Sequence, residues 1–205
     1  MTCSERLDVS GWSGARFLTA DRAGSRERAV ARRARVALVP LAILLLVGPA
    51  WAGGAAPTFV AWLVVFGALL GQAASVDIKE RRIPNALTYS GTLGAILVAG
   101  FAGADALVSA GTGAALAAGL TGAAWRLGGG SLGMGDVKLS TMVGAFVGVG
   151  GVAPYLIFGT GVGAVVAVAV LASGRGRSTA FAYGPALAAG AVISVYSSSF
   201  SMAIG

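Results

Sequence analysis

The sequence predicts an all-α protein, a polytopic transmembrane bundle of about seven helices. Three observations carry this. Of 205 residues, 56% are apolar and only 11% charged, with a mean hydropathy of +0.82; soluble domains carry roughly 25% charged residues. The apolar residues gather in seven runs, about 36–51, 58–76, 86–101, 106–125, 137–152, 154–172 and 185–200. Several are shorter than the ~20 residues a spanning helix needs, so their ends are expected to extend into the breaks. Finally, the chain holds 33 glycines. Small residues let helices approach closely in lipid, where no hydrophobic drive between helices exists.

Taken in order, residues 1–35 form a basic arm. It holds eight of the fifteen Lys and Arg residues, all of them arginines, with Glu5, Asp8, Asp21 and Glu27 mixed in. It reads as a disordered cytoplasmic arm that fixes orientation. It is long for the basic region of a secretory signal, so the first run reads as a retained anchor. Pro40 and Pro49 weaken that run. Residues 36–57 then make an extra N-terminal helix with its outer loop, and residues 58–205 a six-helix core.

The breaks alternate in charge. Those at 51–57, 101–105 and 150–154 carry no Lys or Arg. Those between carry Lys79, Arg81 and Arg82, then Arg126 and Lys138, then Arg175 and Arg177. Every basic break falls on the side of the basic arm. The positive-inside rule makes that side cytoplasmic, giving a multi-pass protein of the plasma membrane with its N-terminus inside. Trp51, Trp62, Phe101 and Trp125 lie near run ends, as interfacial aromatics do. Pro154 is expected to separate the fifth and sixth runs. Gly144 with Gly148, and Gly159 with Gly163, each put two glycines on one helix face and predict close packing.

Composition also excludes chemistries. The net charge of +7 is distributed as membrane orientation requires, so it gives no argument for a nucleic-acid partner. There is no histidine, and Cys3 is the sole cysteine. Ser-His and Cys-His catalysis, His-ligated metals, cysteine metal sites and an internal disulfide are all excluded within this chain. No metal and no cofactor is expected. Carboxylates and lysines remain as general acids and bases.

Four acids follow the arm. Asp105 reads as a loop or N-cap residue, and Glu80 as neutralised among Lys79, Arg81 and Arg82. Asp77 ends the second run and Asp136 opens the fifth. Two runs separate them, which returns the chain to the same face. Three readings stand at this point. Asp136 is a helix cap and Asp77 a charge reaching for the interface; or the pair binds protons or cations in a small transporter; or the two form an aspartyl dyad. A dyad needs two nearby carboxylates sharing one proton, so that one activates water while the other protonates a carbonyl. It needs no histidine, serine nucleophile or metal.

The local words favour the dyad. Gly133-Met134-Gly135-Asp136-Val137-Lys138-Leu139 resembles the GxGD signature of the type IV prepilin peptidases. Asp77-Ile78-Lys79-Glu80-Arg81-Arg82-Ile83-Pro84-Asn85 is similar to that family's first aspartate segment. Tyr183-Gly184-Pro185 is similar to a Gly-Pro segment before its last helix. The resemblance covers roughly residues 58–200. It implies a membrane aspartyl endopeptidase that removes leader peptides from prepilin-like precursors of pili or protein secretion at the cytoplasmic face. Those partners carry a basic leader and an apolar helix. It makes Asp77 and Asp136 the catalytic pair and Gly133 and Gly135 the signature glycines. Lys138 becomes an interfacial anchor or a residue that tunes the dyad, while Pro84 and Asn85 shape the loop near Asp77. The cysteine-bearing segment of larger members, linked to N-methylation, has no counterpart here. The chain therefore resembles the short, peptidase-only type.

Overall fold

The computed structural model describes residues 37–80, 82–128, 132–172 and 183–204. The predicted arm over residues 1–35, with Cys3, and the loop residues Arg81, Arg175 and Arg177 lie outside the described residues. Within them the protein is all-α. The order is α1 (Ala37–Ala52), α2 (Pro57–Glu80), α3 (Asn85–Ala102), α4 (Ala104–Leu127), α5 (Met134–Ala172) and α6 (Gly184–Ile204).

Proline and glycine punctuate these helices. Pro57 opens α2, where its missing N–H would have had no helical partner. Pro84, extended at ψ 129°, ends the α2–α3 link and caps α3, its carbonyl accepting from the N–H groups of Leu87 and Thr88. Gly103 has φ 129° and serves both as the end of α3 and the start of α4. A side chain there would be strained. Asp105 lies in the first turn of α4, where a negative charge suits the helix dipole.

α5 is a hairpin of two helices. Gly148 adopts φ 69°, ψ −179°, which splits the element into arms 134–147 and 149–172. In one straight helix Ser140 and Tyr155 would stand about 22 Å apart along the axis. Their hydroxyls instead meet at 2.8 Å, so the second arm runs back along the first. The Val149 N–H freed at the bend donates to Ser109 Oγ at 3.3 Å. The expected division at Pro154 thus falls earlier, at Gly148, a residue that tolerates positive φ. Pro154 lies inside the second arm, where it removes one backbone bond near the start. With α5 counted as two arms, the described residues hold seven helical segments.

Helices approach through small residues, as expected in lipid. A Cβ on Gly67 would sit 3.0 Å from the Ile43 Cα, and one on Gly71 would sit 3.0 Å from the Leu38 carbonyl. Higher residues on α2 meet lower residues on α1, so the two are antiparallel. Gly113 of α4 and Gly144 of α5 touch backbone to backbone, and Gly159 packs against Leu187 and Gly190 of α6. One buried cluster joins α1, α2, α5 and α6 through Leu46, Phe66, Leu70, Met142, Tyr155 and Leu187. Near the start of α2, Trp62 stacks on Phe146 with centroids 4.3 Å apart, and Phe66 stacks on the same ring at 4.5 Å.

Helices α2 to α5 are long and apolar enough to cross a membrane, and α1 and residues Gly184–Ser197 form shorter apolar helices. The chain is a polytopic helical membrane protein. The end of α2, the start of α5 and the start of α6 converge at one end of the bundle. The bends at Gly103 and Gly148 lie at the other.

Candidate active site

Asp77 lies in the last turn of α2 and Asp136 in the first turn of α5. Both are buried, at 6% and 8% exposure. They line one cavity of about 360 Å³ and are close enough for their charges to interact.

Asp136 is held from within its own helix. Gly133 is the cap of α5, with its carbonyl accepting from the Asp136 and Val137 N–H groups. The Gly133 N–H donates back to Asp136 Oδ2 at 3.2 Å. This is the side-chain half of a capping box, with aspartate at the third helical position reaching back to the cap N–H; the glycine cap offers no side chain to return the bond. The cap residue is therefore Gly133, and Asp136 is its partner one turn in.

Asp77 is held from far away. Its Oδ2 accepts from the Gly184 N–H at 2.8 Å, across 107 residues. Gly184 opens α6, where backbone N–H groups have no helical acceptor. One of these orphan donors serves the carboxylate. A Cβ on Gly184 would lie 2.8 Å from that oxygen and 3.0 Å from the Asp77 Cβ, so no side chain fits. Pro185 follows within the first turn of α6, where its lack of a donor costs nothing.

Six of the seven residues singled out by sequence line this cavity: Asp77, Asn85, Gly133, Gly135, Asp136 and Lys138. Pro84 does not, and instead caps α3 beside it. A Cβ on Gly135 would sit 3.3 Å from the Ile83 Cβ, so this glycine lets the α2–α3 link lie against the start of α5. Lys138 Nζ donates to Asn85 Oδ1 at 2.8 Å and lies 5.4 Å over the Tyr89 ring. Arg82 also lines the cavity, while Glu80 is at the surface, paired to Lys79 at 3.4 Å.

Sequence reasoning named the Tyr183-Gly184-Pro185 word but assigned it no task. Its glycine holds Asp77. Its tyrosine faces Asp136, and burial together with that carboxylate raises the phenol above its ordinary pKa. Tyr183 also borders a second, mostly apolar cavity of about 360 Å³, lined by Leu120, Leu132, Leu156 and Leu187. Ser140, one turn beyond Asp136, reaches the same space. No spacing signal in the chain points to these long-range contacts.

A helical membrane bundle with two carboxylates buried at one end defines a class of intramembrane protein suited to acid–base chemistry. Residues 63–171 match the model of the type IV leader peptidase family, and the chain belongs to that family. It is a peptidase of the membrane. Neither the curated proteins nor the solved structures yield a match.

Proposed function

We propose that the protein is an aspartyl endopeptidase of the cytoplasmic membrane, with Asp77 and Asp136 as its catalytic pair. The dyad shares one proton. The ionised carboxylate takes a proton from water as its oxygen attacks the scissile carbonyl. The protonated carboxyl donates to the developing oxyanion, and collapse of the tetrahedral intermediate returns a proton to the leaving amine. The titration belongs to the pair rather than to either member. The substrates are prepilin-like precursors with a basic leader and an apolar helix, cut at the cytoplasmic face. The apolar helix lies against the leucine-lined cavity beside the dyad, with methylation of the product not expected.

The observation that carries this reading is the shared cavity. Two buried carboxylates from segments 59 residues apart line it together, each fixed by one backbone donor. A transporter would need a path to both membrane faces, whereas these acids stand at one end of the bundle. A precursor with a basic leader, co-expressed with the protein, is expected to lose that leader. With Asp77→Asn or Asp136→Asn the rate is expected to fall ~10³-fold, within the range for loss of a positioned acid or base. Full processing by either variant sinks the dyad.

A further inference from the structure

The two aspartate segments touch at two points. Ile83 of the first lies over Gly135 of the second, and Asn85 of the first accepts from Lys138 of the second. We propose that the Lys138–Asn85 hydrogen bond is a positioning link that sets the spacing of the two carboxylates. The proposal rests on the dyad reading given above.

The geometry is direct. Asn85 is the first residue of α3, eight residues after Asp77, and Lys138 follows Asp136 by two residues on α5. The bond therefore ties the chain leaving one carboxylate to the helix carrying the other. The partner chosen by Lys138 matters as much as the distance. It lines a cavity that holds two carboxylates, yet among the described residues it forms no ion pair with either. Its ammonium goes to a neutral amide and over the face of Tyr89. An ammonium paired to one aspartate would hold it ionised and spoil the sharing of a proton. Spent on Asn85, the same charge fixes geometry and leaves the dyad's charge state alone. Tyr89 limits where the long lysine side chain can go, since a cation is attracted to the ring face.

Lys138→Met and Asn85→Ala are each expected to lower kcat for a basic-leader precursor about fivefold, the scale of one exposed hydrogen bond. KM stays unchanged, because the substrate's apolar helix binds elsewhere. The double variant is expected to match the single ones. A second measurement does not depend on cleavage. In a full-length chain carrying Cys3→Ser, Asp77→Cys and Asp136→Cys, oxidant-driven cross-linking reads how often the two positions meet. Adding Lys138→Met is expected to slow it about fivefold. Multiplicative losses in the double variant, or an unchanged cross-linking rate, overturn the positioning link. If the unaltered protein cleaves no precursor, the peptidase reading fails on its own, and the cross-linking rate still decides the link.

Discussion

Asp77 and Asp136 are held in the same way by very different means. Each carboxylate accepts one backbone N–H from a glycine at the start of a helix. For Asp136 the donor lies three residues away, in the same turn. For Asp77 it lies 107 residues away, on the last helix. One half of the site forms as soon as α5 begins. The other exists only when α2 and α6 have packed. The dyad is thus a local motif set against a tertiary one, and its weak side is Asp77.

Substituting the two donors separates these halves. Gly184→Ala brings a methyl against the Asp77 carboxylate and its Cβ, at 2.8 and 3.0 Å. Either Asp77 or the whole start of α6 must move. A displacement of ~1 Å at a catalytic group costs on the order of 10²-fold in rate, and that loss is expected in kcat. Gly133→Ala meets only the far end of the Asp136 side chain, at 3.1 Å, and keeps the N–H donor. A change within about fivefold is expected, since a side-chain tip moves more cheaply than backbone. Cleavage rates measured side by side check the ranking, and equal losses would erase the distinction between the two halves.

What the sequence made legible follows the same division. The helical class, the segment count and the placement of both aspartates at one end follow from apolar runs and from parity along the chain. Gly133 and Asp136 are readable as one local word, because they stand three residues apart; their hydrogen bond is not. The bend in α5 was assigned to Pro154, since proline is the stronger breaker by propensity. A proline six residues later costs one bond, whereas Gly148 supplies the positive φ a reversal needs. The stacking of Trp62 on Phe146 was not legible, because its partner is brought by a helix far along the chain. Gly184 was visible as a word and not as a donor, because a hydrogen bond across 107 residues leaves no periodic trace.

A smaller effect is expected where α5 meets α4. Gly144→Ala would set a Cβ 2.8 Å from that of Ala117 and against the backbone of Gly113. Over-packing of this kind costs about 2 kcal/mol, read as a lower thermal midpoint in detergent. The first arm of α5 shifts, but the clasp on Asp136 moves with it as one turn. Cleavage per folded molecule is therefore expected to fall less than with Gly184→Ala. A larger loss would mean that Asp136, too, depends on tertiary packing.

The smallest effect on cleavage concerns the hydrogen bond inside the α5 hairpin. Ser140 and Tyr155 are both fully buried and share one bond at 2.8 Å. Removing one partner leaves the other buried, and the two sides are not equivalent. After Tyr155→Phe, the Ser140 hydroxyl can turn to the backbone carbonyl of Asp136, four residues back, as helical serines do. A loss of about 1 kcal/mol is expected. After Ser140→Ala, the phenol has no backbone acceptor of its own turn within reach, and about 2 kcal/mol is expected for the stranded donor. Removing both groups should cost less than the sum, because neither is left without a partner. Thermal unfolding of the three variants tests this. Cleavage is expected to change less than twofold in Tyr155→Phe, since the Gly133 donor that holds Asp136 lies outside the pair. A tenfold loss of rate at unchanged stability would instead make the buried hydroxyl pair part of the site.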